Sequence, residues 1–270
     1  MTMTMSRRRF FLAGCVCALA GCLFPSLSDL SGDASTGNDA SDVAVVDSPT
    51  APDAGSFCDG VDATFCEDFD EPDGGYLDRW SPSIGDGNTV TTQTALVTSA
   101  PNALVVEVPS GNTGGASLWK DLPPNATEYD YSFSIRFEPY DAGSGYVLWG
   151  QIEVDNTNNA FSEYRFSTYN GGTKFEAHVY YPDGGNTIAG TPLSTTFAAG
   201  QWYRVDEILT VSPPPAKVQI MINSIQVLQT TITQATDGVG TAEFLAGIYH
   251  TSGVTGTWRL EIDDVVMRVK

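Results

Sequence analysis

The sequence has 270 residues, with 13 lysines and arginines against 33 aspartates and glutamates, so its formal net charge is −20. This charge repels phosphate backbones and anionic lipid headgroups, which excludes nucleic acid as a partner. It also disfavours strongly acidic polysaccharides unless a divalent cation bridges them. The first fifty-odd residues cannot contribute to a core, which leaves roughly 210 residues, a suitable length for one domain.

The N-terminus has the layout of a secretory signal peptide. Three arginines, Arg7 to Arg9, precede an apolar run that ends at Ala20 and is too short to span a bilayer. The stretch Ser-Arg-Arg-x-Phe from Ser6 resembles a twin-arginine export signal, although an ordinary signal peptide also accommodates it. Leu19-Ala20-Gly21-Cys22 resembles the lipobox of bacterial lipoproteins, whose cysteine sulfur receives a lipid. We predict a signal peptide over residues 1–22 with lipidated Cys22; cleavage by ordinary signal peptidase is the alternative.

Residues 23–56 predict a disordered acidic linker. They are rich in Ser, Asp, Ala, Gly, Thr and Pro and nearly lack aromatic side chains, so they cannot bury enough apolar surface to offset chain entropy. Their like charges favour an extended tether. We therefore expect an exported protein that contacts the membrane only through its lipid, on the periplasmic or outward-facing side of the cell envelope.

Cys58 and Cys66 are the two cysteines beyond the predicted leader. In an exported protein such thiols oxidise, so we predict a disulfide between them that closes a small loop and staples the first strand. A metal pair is the alternative, but two cysteines without nearby histidines make a poor zinc site.

From about Phe57 to residue 270, alternating apolar and polar residues punctuated by Gly, Pro, Asn and Asp predict an all-β sandwich of two antiparallel sheets. Residues 129–137 predict a strand with one buried face. Residues 146–155 predict the next strand, with Trp149, Gln151, Glu153 and Asp155 on its polar face and Tyr146, Leu148, Ile152 and Val154 opposite.

Turn signals connect the later strands. Asn170-Gly171-Gly172 predicts a hairpin between strands at 162–169 and 173–181, because asparagine and glycine accept positive φ. Strands at Trp202–Val211 and Lys217–Asn223 flank three prolines, which cannot lie inside a central strand. In the last strand the apolar phase slips at Asp263-Asp264, which indicates a β-bulge.

The order of these segments resembles the concanavalin A-like lectin and glucanase jelly rolls, particularly laminin-G-like modules of bacterial surface lipoproteins. The residues that carry the resemblance are Cys66–Asp70, Trp202–Val205 and Leu260–Val266. The resemblance implies a jelly roll whose first and last strands are neighbours, with Asp68 near Asp263 or Asp264. Such modules bind sugars, proteins or calcium, and some relatives cleave glycans, so the fold leaves function open.

The predicted polar face of the central strands combines aromatic planes for sugar rings with donors and acceptors for hydroxyl groups. We therefore expect it to bind carbohydrate, such as a cell-envelope glycan, without catalysis. An ordinary solvated sheet face is the alternative. The predicted ligand-binding residues are Trp149, Gln151, Glu153, Arg165, Tyr169, Glu176, His178 and Tyr180.

Two other functions stay open: a polysaccharide-degrading enzyme and a structural or protein-adhesion module. Glu153 and Asp155 have about the separation that a pair of hydrolytic carboxylates requires. The stretch Gln151-Ile152-Glu153 is similar to the Gln-Ile-His of alginate-lyase-type jelly rolls, but glutamate replaces the histidine. The same region faintly resembles the Glu-x-Asp-x-x-Glu strand of laminarinase-type hydrolases and lacks its third acid. No residue is assigned a catalytic role.

Calcium is the one cofactor that the sequence suggests. Hard cations prefer carboxylate and carbonyl oxygens, and the jelly-roll resemblance brings the two chain ends together. The predicted ligands are Asp68, Asp70, Asp263 and Asp264. Solvated acidic loops are the alternative.

Overall fold

The computed structural model describes residues 56–138, 145–155, 160–169, 172–181, 183, 185–232 and 240–270. The predicted signal peptide, lipidation site and nearly all of the linker lie outside these residues. The strands are β1 Phe65–Glu67, β2 Ser81–Ile84, β3 Thr89–Gln93, β4 Ala103–Val108, β5 Gly114–Leu122, β6 Glu128–Phe137, β7 Tyr146–Asp155, β8 Phe161–Tyr169, β9 Gly172–Tyr180, β10 Asn186–Pro192, β11 Trp202–Thr210, β12 Ala216–Ile222, β13 Ile225–Ile232, β14 Ala242–Ser252 and β15 Trp258–Val269. The described residues also contain one 3-10 helix, Pro72–Arg79, and none of their helices is long and apolar enough to cross a membrane.

The strands form two antiparallel sheets, which confirms the predicted fold class. The seven-stranded sheet has the order β10-β9-β8-β7-β14-β5-β2, and the eight-stranded sheet has the order β13-β12-β11-β6-β15-β4-β3, with β1 also paired to β15. Strands that are distant in sequence lie side by side, as β7 and β14 do. The two sheets each turn one face inward and bury a common core.

Aromatic side chains fill the interface between the sheets. Trp149 stacks on Phe166 with ring centroids 4.6 Å apart, and Phe133 and Phe137 approach Trp149 edge-on from the opposite sheet. All four rings are at most 1% exposed. Because each aromatic side chain buries about 150–250 Å², this cluster dominates the local packing energy.

Several predicted contacts are confirmed. Strands β8 and β9 pair along their whole length, and β1 pairs with β15, so the first and last strands are neighbours. The register between β15 and β6 shifts after Asp263, and Asp264 has φ of 52°, as expected for a bulge. Asn223 and Ser224 both have positive φ and form the two-residue turn between β12 and β13.

The disulfide prediction is also confirmed: Cys58 and Cys66 are bonded, with their Cα atoms 5.7 Å apart. Cys66 lies within β1, opposite Val266 of β15. The bond therefore ties the segment that enters the domain to the strand that begins it.

The predicted orientation of Trp149 is wrong. Gly150 has φ of 54°, and the register between β7 and β8 shifts between Trp149 and Gln151. This bulge inverts the alternation, so Trp149 points into the core while Leu148 and Gln151 lie on the same outer side. Glycine suits the position because positive φ is strained for other residues, and an added Cβ would meet Phe133 and Phe166 at 3.3 Å.

One carboxylate lies between the sheets. Glu207 lies between Val205 and Leu209 in the inward-facing positions of β11, and all three side chains are fully buried. Neither of its carboxylate oxygens has a hydrogen-bond partner among the described residues, and neither does the hydroxyl of Tyr129. Burial raises the pKa of Glu207 to about 8. This acid is therefore held in its neutral form at physiological pH.

Candidate functional site

The outer face of the seven-stranded sheet collects polar side chains from neighbouring strands. Cross-strand pairing places corresponding positions of β9, β8 and β7 directly opposite one another. Two rows result: the first contains His178, Glu163 and Glu153, and the second contains Glu176, Arg165 and Gln151. The predicted juxtaposition of these three strands is therefore present.

A cavity of about 290 Å³ opens at one end of this face. Tyr146 and Tyr169, opposite each other on β7 and β8, are 37% and 45% exposed and form part of its wall. Ile188 of β10 is 59% exposed and lines the cavity from the edge strand. The remaining lining residues are Leu148, Arg165, Ser167, Lys174, Glu176 and His178. Apolar and aromatic walls thus surround a polar floor.

Arg165 is the centre of the polar floor. Its Nη1 donates to Glu163 Oε2 over 2.5 Å, and its Nη2 lies 2.8 Å from His178 Nε2 and 3.0 Å from His178 Nδ1. His178 Nε2 lies 3.2 Å from Glu176 Oε2. The guanidinium group only donates, so it pairs with the imidazole nitrogen that carries no hydrogen. The hydrogen bond from His178 lowers the pKa of Glu176 against the effect of its burial.

The first row continues beyond β7 as a run of acids. Glu153 lies opposite Glu243 of β14, and Glu243 lies opposite Asp121 of β5. We call Glu163, Glu153, Glu243 and Asp121 the acidic row. Because strands are spaced by about 4.8 Å, the row runs roughly 14 Å across the sheet. Like charges directly opposite each other destabilise a sheet, so the acidic row lowers the stability of the folded protein when its members are ionised.

The acidic row shifts the titration of its members. Burial raises the pKa of Glu153 to about 7, and Glu163, Asp155 and Glu243 add to the rise. A hydrogen bond of 3.1 Å from Gln151 Nε2 to Glu153 Oε2 opposes it. The pKa of Glu243 is raised by its burial and by its contact with Asp121. Glu153 is therefore poised to gain or lose a proton near neutral pH.

Tyr249 of β14 lies beside both rows. Its ring centroid is 6.0 Å from the guanidinium carbon of Arg165. The ring is 5.9 Å, centroid to centroid, from that of Trp119 on β5, in an edge-to-face arrangement. Burial raises the pKa of the Tyr249 hydroxyl, and Glu163 and Glu153 raise it further. An aromatic side chain thus borders the acids on the side of the cavity.

Two buried polar atoms of this face lack a hydrogen-bond partner within the part of the chain that the structure describes. They are Oε1 of Gln151 and Nε of Arg165, an acceptor and a donor on directly opposed residues. Gln151 is 0% exposed and Arg165 is 6% exposed. Buried polar groups are nearly always paired, so unpaired ones beside an open cavity point to a ligand or an ordered water.

The predicted ligand-binding residues divide into groups. Arg165, Tyr169, Glu176 and His178 line the cavity. The others do not: Gln151 and Glu153 lie beside it, Tyr180 stacks on Phe161 with centroids 4.1 Å apart, and Trp149 belongs to the core. The structure thus brings seven of the eight predicted residues to one face.

Sequence reasoning missed several contributors to this face. Tyr146 and Leu148 were assigned to the inner side because the bulge at Gly150 was not anticipated. Glu243 and Tyr249 alternate with apolar residues in β14, which was a usable signal for an outward position. Nothing in the local pattern, however, indicates that β14 pairs with β7.

The four aspartates of the calcium prediction are engaged by neighbouring groups. Asp263 Oδ2 accepts from the backbone N–H groups of Thr98 and Ser99, and Asp264 accepts from both of their hydroxyls. Burial raises the pKa of Asp263 to about 6, with Asp264 adding to it.

At the other chain end, Asp70 accepts from the backbone N–H of Asn102, and its pKa is raised by burial and by the charges of Asp68 and Asp264. Asp68 accepts from Ser56 and from the Cys58 backbone. The acids that follow the first strand therefore lie near those of the last strand, as the resemblance implied. Among described residues, the carboxylates that lie within 4.8 Å of one another as a group of three are Glu67, Asp68 and Glu71. Calcium binding stays a prediction.

Solved structures with a similar fold include two polysaccharide lyases. An endo-β-1,4-glucuronan lyase from the fungus Trichoderma reesei superposes with a TM-score of 0.62 at 17% identity, covering 77% of this chain and 96% of the lyase. The cellulose induced protein Cip1 has a TM-score of 0.54 at 14% identity, with 75% of this chain and 96% of Cip1 covered. Alginate lyase vAL-1 from Chlorella virus has a TM-score of 0.51 at 12% identity, with 73% and 94% covered.

No protein-family model and no curated protein sequence matches this chain. At these identities the structural likeness establishes the sandwich fold and nothing finer. Function must therefore be argued from the residues of the face itself.

Proposed function

We propose that the outer face of the seven-stranded sheet binds a carbohydrate polymer. The observation that carries this proposal is the open cavity, in which exposed Tyr146 and Tyr169 stand over the hydrogen-bonded group of Arg165, His178 and Glu176. Aromatic rings offer apolar planes to the C–H faces of sugars, and fixed charged groups offer donors and acceptors to hydroxyls. The fold shared with a glucuronan lyase and an alginate lyase supports the same ligand class.

Oligosaccharide binding to the purified protein tests this proposal, first on a glycan array and then by calorimetry. The pair Ile188→Ala and Ile225→Ala is a matched comparison, because both side chains are highly exposed but only Ile188 lines the cavity. We expect Ile188→Ala and Tyr169→Ala to weaken binding and Ile225→Ala to leave it unchanged. Binding that survives a combined Tyr146→Ala and Tyr169→Ala substitution would contradict the proposal.

A second candidate function, glycan cleavage, is favoured by a specific pair of carboxyls. Glu153 and Glu163 are directly opposed across β7 and β8, so their Cβ atoms are about 5 Å apart. Glu163 is ion-paired with Arg165, whereas the pKa of Glu153 is raised to about 7 by burial and neighbouring acids. One charged and one protonated carboxyl at short separation is the arrangement of a retaining glycosidase.

This pair replaces Glu153 and Asp155, which the sequence suggested. Asp155 is exposed at the end of β7 and accepts from the Thr241 hydroxyl. Incubation with a polysaccharide panel, followed by assays for new reducing ends and for unsaturated sugar ends, distinguishes hydrolysis and elimination from binding alone. Cleavage that Glu153→Gln and Glu163→Gln abolish, and Asp155→Asn retains, would establish the enzyme.

We also propose that the protein is exported and held at the cell envelope by a lipid on Cys22. The basic and apolar leader and the Leu19-Ala20-Gly21-Cys22 motif support this proposal. Membrane fractionation of the Cys22→Ala variant, with globomycin treatment of the parent, tests it. Unchanged processing and unchanged membrane association would contradict the anchor.

A further inference from the structure

The outer face of the seven-stranded sheet carries an excess of negative charge at one end. Within the Arg165 group, the carboxylates of Glu163 and Glu176 are matched by two cations, Arg165 and Lys174. Beyond this group the face carries four more carboxyls, on β7, β14 and β5, and none of them has a salt-bridge partner among the described residues. They are Glu153, Asp155, Glu243 and Asp121.

The outer face of the eight-stranded sheet, by comparison, carries acids that are paired with cations. On the outer face of the eight-stranded sheet, Asp130 lies 3.5 Å from Arg268 and Glu128 lies 2.7 Å from Lys270. Glu153, Asp155, Glu243 and Asp121 have no such cation partner among the described residues. A group of carboxyls without cation partners is electrostatically complementary to a cationic ligand.

A second observation at the same place is independent of charge. Gln151, which is 0% exposed, donates from Nε2 to Glu153 and has no hydrogen-bond partner for Oε1. The amide therefore lies against the acidic row and offers an acceptor. Ammonium groups are donors only, so an unpaired acceptor beside carboxylates matches their chemistry.

We propose that this face selects a cationic, amino-sugar polysaccharide, whose rings stack in the tyrosine-walled cavity and whose ammonium groups pair with the acidic row. This inference rests on the proposed carbohydrate-binding function and names the class of its ligand. A polyanionic chain such as glucuronan or alginate would instead bring carboxylates against Glu153 and Glu243. The overall charge of −20 opposes its approach as well.

The protonation of Glu153 is linked to such a ligand. The charged and titratable groups around it are Glu163 and Arg165 on β8, Asp155 on its own strand, and Glu243 and Tyr249 on β14. An ammonium group beside Glu153 favours its ionised form, so binding should release a proton near neutral pH. A neutral sugar would leave the proton in place.

Calorimetry with three β-1,4-linked hexamers tests the proposal: glucosamine, N-acetylglucosamine and glucuronic acid. At pH 6 and low salt we expect the glucosamine hexamer to bind about tenfold more tightly than its acetylated form, which is the effect of two partly screened ion pairs. Added salt should remove the difference. The double variant Glu153→Gln/Glu243→Gln should also remove it while retaining the thermal melting profile of the parent fold.

The matched control is Glu128→Gln/Asp130→Asn, which makes the same change in net charge on the other sheet. It should retain the preference for glucosamine. Equal or tighter binding of the acetylated or glucuronic acid hexamer would overturn the amino-sugar inference and leave carbohydrate binding intact. An equal loss of preference in the control variant would overturn it too, because the effect would then be one of net charge. Failure of all three hexamers and of the glycan array would overturn the proposed function itself.

Discussion

Two carboxyls, one buried between the sheets and one half-buried on the outer face, have raised pKa values for different reasons. The pKa of Glu207 is raised to about 8 by burial alone, and both of its oxygens lack a partner in the described structure. The pKa of Glu153 is raised to about 7 by burial together with three neighbouring acids, and Gln151 hydrogen-bonds to it. Glu207 is fully buried in the core, whereas Glu153 lies beside an open cavity.

The two environments have different consequences: Glu207 lowers the stability of the fold, whereas Glu153 belongs to the candidate site. A neutral acid enclosed in a core adds little to the free energy of unfolding, and it destabilises the folded state increasingly as it ionises. An acid held among other acids at a solvent-accessible face can exchange its proton with a ligand. Substitution of Glu207 should therefore mainly change stability, and substitution of Glu153 should mainly change binding.

The largest expected effect follows from replacing Glu207. The folded state keeps this proton up to about pH 8, whereas the unfolded chain releases it near the ordinary value of 4.5, so stability falls as the pH rises between these values. We expect Glu207→Leu to stabilise the protein by about 3–5 kcal/mol at pH 9 and much less at pH 4.5. Urea unfolding across this range measures the effect.

Tyr129→Phe is the control for Glu207→Leu, because it removes a second unpartnered buried oxygen. Burial raises the pKa of Tyr129 to about 12, so this hydroxyl does not titrate below pH 9. Its effect should be independent of pH. A Glu207→Leu variant whose gain is the same at every pH would contradict a buried, titrating acid.

Gly150→Ala should have the next largest effect. It forces an L-residue into positive φ and brings a methyl group to 3.3 Å from Phe133 and Phe166. We expect a loss of about 1–3 kcal/mol in the free energy of unfolding, with weaker glycan binding because the bulge orients Gln151 and Glu153. Gly172→Ala is the control, since an added Cβ there meets only the Tyr169 carbonyl at 3.6 Å. Equal effects of the two changes would contradict the importance of the bulge.

Glu153→Gln should change stability less. Its pKa is raised, so the ionised form costs stability above neutral pH, and the amide should gain about 1 kcal/mol at pH 8 after allowance for partial exposure. At pH 4.5 the gain should vanish, because the carboxyl is then protonated in the folded protein. Thermal unfolding at the two pH values tests this, and a destabilised variant at pH 8 would contradict the raised pKa.

Asp130→Asn on the eight-stranded sheet should have the smallest effect. Its carboxylate pairs with Arg268, a 40% exposed side chain, across 3.5 Å. Surface ion pairs of this kind contribute about 0–1 kcal/mol, so we expect a change below about 0.5 kcal/mol with no dependence on pH between 6 and 9. Chemical unfolding measures it, and a larger, pH-dependent change would remove the distinction between the two outer faces.

Much of the fold could be predicted from local patterns. The alternation in residues 129–137, the hairpin after Tyr169 and the slip at Asp263-Asp264 each correspond to an observed strand, pairing or bulge. The cysteine pair could also be predicted, because the sequence beyond the predicted leader has only two cysteines and the predicted export would expose them to oxidation. Strand pairing between segments far apart in sequence was not accessible, since alternation records which face is buried but not which strand lies alongside.

The candidate site was predicted in part. Arg165, Glu176 and His178 were assigned correctly to one face, because β8 and β9 alternate without interruption. Trp149 was not, because the bulge at Gly150 breaks the alternation, so Trp149 and the residues before it face opposite to what the later residues predict. Ile188 was missed because it lies on an exposed edge strand with no apolar periodicity of its own.

The sequence by itself determined the all-β character, the acidic surface and the supply of outward polar residues, because these depend on period-two alternation and composition. Only the tertiary structure decided which residues meet. The pairing of β14 with β7 and β5 aligned Glu153, Glu243 and Asp121 into one row, and the bulge at Gly150 exchanged Trp149 for Leu148 at the surface. These outcomes depend on long-range strand order and on one backbone dihedral angle, and neither is encoded in the local pattern of polar and apolar residues.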